Sequence, residues 1–168
     1  MTEVYIAAGS NIDPLAKLPQ AVLLLRAAWP DIRFSCAYRN AAAGFQGEDF
    51  INLAAEFATG ESLPLVLARL HDIERACGRE RDAAKWAPRA MDLDVLLYGD
   101  AIGQFPGALL PRPDLLKRAY MLGPLAEIAG DVLHPVSGLT IAEHWQRFDR
   151  SAHPLQPVAL PGLAAAAC

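Results

Sequence analysis

With 168 residues, 53% of them hydrophobic and 20% charged, the chain can build one packed domain and is too apolar to be disordered. Its formal charge of −4 speaks against a nucleic-acid binder, whose domains are as a rule basic. Neither a basic leader before the apolar run of "MTEVYIAAGSN" nor any stretch near about 18 apolar residues is present, so secretion and membrane spanning are not expected.

In chain order, "EVYIAAG" (3–9) predicts a strand ending at Gly9. From Asp13, with Pro14 suited to a first helical turn, Leu15, Leu18, Val22 and Leu25 recur at helical spacing. "DIRFSCAYR" (31–39) predicts one half-buried strand with Ile32, Phe34, Cys36 and Tyr38 turned inward. A Gly-bearing loop (41–49) leads to a strand over 50–59. Ser62 and Pro64 then open a helix with Leu67, Leu70 and Ile73 on one face, closed by Gly78. After a charged loop comes a strand over 91–98, then "PDLLKRAYMLGPLAEIAG" as a helix or broken helix pair, and a short helix in "TIAEHWQRF". The order β-α-β-β-α-β predicts an α+β, ferredoxin-like βαββαβ sandwich, an antiparallel sheet with helices packed on it, in one domain over 1–150. Residues 151–168, rich in Pro and Ala, are expected as a flexible tail. Cys36, Cys77 and Cys168 are far apart, odd in number and without C-x-x-C spacing, which suits reduced thiols in a cytoplasmic protein.

Within "KWAPRAMDLDVLLYGD" (85–100), Asp92 and Asp94 interrupt a run that otherwise suits a sheet interior. Alternation puts both on one strand face, about 7 Å apart, where like charges repel unless a cation neutralises them. Magnesium suits such a pair, since it binds one or two carboxylates and completes its shell with water and phosphate oxygens. Taken alone, an Asp-x-Asp more often sits solvated and idle at a sheet edge. The preceding segment supplies Arg75, Arg79, Arg81, Lys85 and Arg89; guanidinium groups match phosphate oxygens in pairs, though Glu74, Glu80 and Asp82 could also neutralise them. Cations followed by two carboxylates make a phosphate–magnesium site, and no G-x-x-x-x-G-K-[ST] loop is present to suggest a P-loop enzyme.

"KWAPRAMDLDVLLYG" resembles the signature of the 6-hydroxymethyl-7,8-dihydropterin pyrophosphokinases. The resemblance extends to about Phe148 through "YIAAGSN", "YRNAAAGFQGEDFINLAA", "DIERACGRERDAAKWAPRAMDLDVLLYG" and "LPRPDLLKRAYMLGPLAEIAGDVLHPVSG". It implies a ferredoxin-like fold and transfer of pyrophosphate from ATP to a pterin hydroxymethyl group, with two Mg2+ ions as cofactors and ATP as co-substrate, in folate biosynthesis. Position by position, it implies that Asp92 and Asp94 hold the metals and that Arg79 and Arg89 act in catalysis on the ATP phosphates. Arg81, Trp86, Arg112 and Arg118 would join His71, Glu74 and Val95 around the nucleotide. The pterin would meet Asn40, Ala41, Ala43, Phe50, Asn52, Trp86, Asp92 and Tyr120, with Tyr120 stacking on the ring and Asn52 bonding its edge. The implied partners are these two small molecules, bound by a monomer without nucleic acid or membrane.

The chain departs from the family pattern in places. Arg112 stands where many relatives carry His, Pro113 where Tyr is familiar and Ala87 where Gly is, and "RNAAAG" lacks a Thr-Pro pair. Arg112 can still serve a phosphate as a permanent cation. Two other functions are compatible with the pattern: a metal-dependent phospho- or nucleotidyltransferase with another acceptor, and a non-catalytic binding domain on the same fold.

Overall fold

The computed structural model of the chain describes residues 1–40, 49–78 and 90–163. Strand β1 (Thr2–Ser10) leads to α1 (Pro14–Ala28), whose opening proline lacks only an N–H that would have no helical partner. Two short strands, β2 (Arg33–Phe34) and β3 (Ala37–Asn40), precede β4 (Phe50–Thr59), α2 (Leu63–Ala76) and β5 (Asp92–Tyr98). Gly78 follows α2 with φ 90°, a left-handed conformation that glycine takes without steric cost. A hairpin of β6 (Gly103–Phe105) and β7 (Ala108–Leu110) comes next, then a 3-10 turn at Pro113–Leu116. Helices α3 (Ala119–Ala129) and α4 (Ile141–Arg147) and strand β8 (Gln156–Val158) complete the described elements.

The main sheet runs β5-β1-β4-β3-β8, with β2 also paired to β4, and its pairings are antiparallel. Alternation sorts its side chains onto two faces. Ile6, Ala8, Leu53, Leu93 and Val95 pack with Leu18, Val22 and Leu25 of α1 and with Val66, Leu70 and Ile73 of α2. Tyr5, Ala7, Ala54 and Leu96 pack with Met121, Leu122 and Leu125 of α3 and with Ile141 of α4. The ferredoxin-like core is therefore present, and α3 and α4 add a third layer on the opposite face.

The run over 31–39 breaks in two. Buried Ser35 donates its hydroxyl to Cys36 O and accepts the Ala54 N–H, while its own N–H goes to Ala54 O. This shifts the alternation by one residue. Ile32 and Phe34 pack toward α1 and α2, and beyond the break Ala37 does so. Tyr38 turns to the α3 face instead, where its hydroxyl donates to Glu127.

The segment expected as a tail instead lays β8 along the outer edge of β3 and buries Leu160 in the α1–α2 core. Cys36 is disulfide-bonded, which corrects the expectation of reduced thiols throughout; linear spacing does not reveal which sulfurs a fold brings together. Cys77 is free and buried. Among the described residues no helix is long and apolar enough to cross a membrane.

Candidate active site

One row of the sheet crosses four strands. Asp92 of β5 pairs with Gly9 of β1, Gly9 with Asn52 of β4, and Asn52 with Tyr38 of β3. Directly paired residues share a face, so Asp92 and Asn52 look to the same side with a side-chain-free gap between them. Asp94, paired with Ala7, lies on that face too. Alternation along β4 adds Phe50, whose register partner is Asn40. This is the α3 face, and there Asp92 and Asp94 are half-buried.

Gly9 is required by its neighbour. A Cβ at this position would stand 2.3 Å from Asn52 Oδ1, closer than packed atoms approach, so glycine alone leaves the carboxamide its place. Asn52 in turn donates through Nδ2 to Asn40 Oδ1. The amide plane is thus braced from β3 and β1, ready to present donor and acceptor atoms to a flat ligand edge.

Arg112 supplies the charge. Its backbone N–H bonds Leu96 O at 3.0 Å, which fixes the residue against the outer edge of β5. Its Nη1 lies 3.3 Å from Asp94 Oδ1, the side chains being 33% and 19% exposed. Its Nε is buried without a hydrogen-bond partner among the described residues. A buried donor left unbonded costs about 1–3 kcal/mol, so an oxyanion accepting from Nε would improve this arrangement. Tyr120 of α3 faces the same pair: burial pushes its phenol up, Arg118 opposes this, and Asp114, Asp94 and then Arg112 add smaller effects. Beside it lies a cavity of about 280 Å³ lined by Asn40, Lys117, Arg118, Tyr120, His153 and Leu155, among others.

The residues expected around the nucleotide do not all gather here. Val95 is buried in the α1–α2 core, on the other face of β5 from Asp94. Glu74 of α2, 3% exposed, accepts the Leu93 N–H at 3.0 Å. His71 Nε2, well exposed, lies 3.9 Å from Glu74 Oε1. Glu74 and Arg112 therefore both bond the outer edge of β5, and Val95 lies across the strand from Asp94 and Arg112. Ala41, Ala43, Arg79, Arg81, Lys85, Trp86 and Arg89 lie outside the described residues.

Three features of the site were not read from the chain. Gly9 is one; a glycine inside a strand already signals close approach of a neighbour, and β1 continues through it. Glu127 is another: one oxygen takes the Tyr38 hydroxyl and the other the Cys36 N–H at 2.8 Å, tying α3 to β3. This bond, after burial, pushes the Tyr38 phenol up to about 12. The third is the cavity wall at Ala152–Leu155, for which the sequence carries no periodic signal.

Among the described residues no group of three or more His, Cys, Asp or Glu is placed to hold a metal. Two carboxylates on one face fit magnesium with phosphate-completed coordination, and the unsatisfied Arg112 Nε fits a phosphate nearby.

Residues 5–130 match the family described as 7,8-dihydro-6-hydroxymethylpterin-pyrophosphokinase. The chain is 38% identical over 161 residues to the 2-amino-4-hydroxy-6-hydroxymethyldihydropteridine pyrophosphokinase of Synechocystis sp., covering 94% of this chain and 80% of that one. It is also 38% identical over 156 residues to the protein of the same name from Methylorubrum extorquens, covering 90% and 96%. A crystal structure of an HPPK-DHPS protein in complex with substrates superposes with a TM-score of 0.66 at 12% identity. Plasmodium falciparum HPPK-DHPS does so with 0.64 at 10%. The chain spans 44% of each of these two, and at such identity they show the fold alone. The family match and the curated relatives carry the assignment: this chain belongs to the 7,8-dihydro-6-hydroxymethylpterin pyrophosphokinase family.

Proposed function

We propose that Asp92 and Asp94 are the metal-holding end of the site at which this chain performs its family's reaction, transfer of pyrophosphate from ATP to 6-hydroxymethyl-7,8-dihydropterin in folate synthesis. The observation that carries this reading is the sheet row itself, which sets Asp92 and Asn52 on one face across Gly9. Two magnesium ions bound at the carboxylates would offset the charge of the phosphate oxygens around the β-phosphorus. Asn52, held by Asn40, would bond the pterin edge, while Tyr120 and Phe50 would offer it aromatic surface. Arg112 would give its unpaired Nε and one Nη to a phosphate. Arg79, Arg81, Arg89 and Trp86, outside the described residues, are proposed for the phosphates, and Ala41 and Ala43 for the pterin slot; His71, Glu74, Val95 and Arg118 are proposed near the nucleotide. The enzyme is proposed to act as a cytoplasmic monomer on these small molecules.

In the proposed transfer the pterin hydroxymethyl oxygen bonds to the β-phosphorus, its proton passes to solvent, and the bond to the α-bridging oxygen breaks. AMP leaves with that electron pair. Phosphorus NMR of a completed reaction should show AMP and a pterin diphosphate in equal amounts. ADP with a pterin monophosphate, or no reaction of the pterin alcohol, would defeat this reading.

A further inference from the structure

Resting on that reading of the Asp92–Asp94 pair, we propose that Arg112 is its resident counterion, which neutralises Asp94 in the empty protein and releases it to the metal when a triphosphate arrives. Two carboxylates on one strand face repel each other, and Arg112 relieves this with Nη1 3.3 Å from Asp94 Oδ1 in a partly buried setting that strengthens the attraction. The backbone bond from Arg112 to Leu96 O fixes the point on the chain from which the guanidinium reaches the carboxylate. A divalent cation arriving alone must displace a fixed positive charge and then remain next to it. A cation arriving with a triphosphate brings new acceptors, and the guanidinium, whose Nε is buried without a partner among the described residues, gains a bond in turning to them. The exchange disfavours bare metal and favours metal with nucleotide, and by linkage each strengthens the other's binding. Arginine suits this role because its charge does not depend on pH and its fork can leave one oxyanion for another.

Free Mn2+ binding without nucleotide, followed by electron paramagnetic resonance, tests the exchange. Arg112→Gln is expected to bind Mn2+ about tenfold more tightly than the unaltered enzyme, the scale of losing one charge beside a partly buried site. Its affinity for magnesium with α,β-methylene ATP is expected to fall about tenfold. Arg112→Lys, which keeps the charge, should bind free Mn2+ as the unaltered enzyme does. Unchanged or weaker Mn2+ binding in Arg112→Gln, or equal tightening in Arg112→Lys, would overturn the exchange. Asp94→Asn separates this from the reading beneath it. Loss of Mn2+ binding there keeps the metal site even if the Arg112 variants behave alike. Undiminished Mn2+ binding in both Asp92→Asn and Asp94→Asn removes the metal site, and the exchange with it.

Discussion

The two faces of the sheet are made by the same strands and serve opposite ends. Toward α1 and α2, β1, β4 and β5 present Ile6, Ala8, Leu53, Leu93 and Val95, and the two helices seal them completely. Toward α3, one end of the same strands presents Tyr5, Ala7, Ala54 and Leu96 under the helix, while the other end presents Gly9, Asn52, Asp92 and Asp94. Burial is complete on one face and graded on the other. The site therefore needs no separate platform: its floor continues a packed layer, with Gly9 and Asn52 still buried and Asp92 and Asp94 half-buried, stiffened by the core one residue away.

That contrast is easiest to break at the carboxylates. Asp92→Asn or Asp94→Asn should lower AMP release by more than about a thousandfold while the melting temperature stays within a few degrees. Near-normal magnesium-dependent turnover in either would mean that the open face is not where the metal acts. The sealed face should answer in reverse. Leu53→Ala, at a fully buried position, should cost about 2–5 kcal/mol in urea unfolding with KM for both substrates little changed. A large KM change with intact stability would show the two faces to be functionally mixed.

Gly9→Ala sits at their junction and should show both effects at smaller size. The new Cβ must push Asn52 aside, for about 1–3 kcal/mol of stability, and pterin KM should rise while ATP KM holds. If pterin KM holds as well, Asn52 does not face the pterin. The smallest effect lies off both faces, in the turn between α3 and α4. There His134 Nδ1 accepts the N–H groups of Val136 and Ser137, and burial, with His144 adding, holds the imidazole below its ordinary value. The unfolded chain then takes up a proton that the folded one refuses as pH falls below about 6.5, so stability should decline in that range and level off once the folded imidazole titrates. His134→Asn keeps an acceptor and should flatten this dependence in melts from pH 7.5 to 5, with turnover at neutral pH unaffected. A dependence as steep as before would clear His134.

Much of this was legible in the chain. The strands β1, β4 and β5 read as apolar or β-branched runs and the helices α1 and α2 carry helical spacing, and the Asp92–Asp94 pair stands out against its apolar strand. The phase slip at Ser35 was not legible, because it depends on hydrogen bonds to Ala54, on a strand nearly twenty residues away. β6 and β7 are three residues each, too short to show alternation, although Pro106–Gly107 marks their turn. β8 exists by pairing with β3 and has no pattern of its own. Arg112 was visible as a cation, but its pairing with Asp94 depends on how the chain returns to β5 after the hairpin.

The bond from the Leu93 N–H to Glu74 has a mechanical consequence. Leu93 is the residue between the two aspartates, and its amide is clamped to a buried carboxylate on α2. The extended backbone sets the span between Asp92 and Asp94, and the tie to a helix on the far side of the strand steadies the amide between them. In the proposed metal role, a pair held in this way would meet an ion without first having to be assembled, and would avoid the reorganisation that a looser pair would undergo on each turnover.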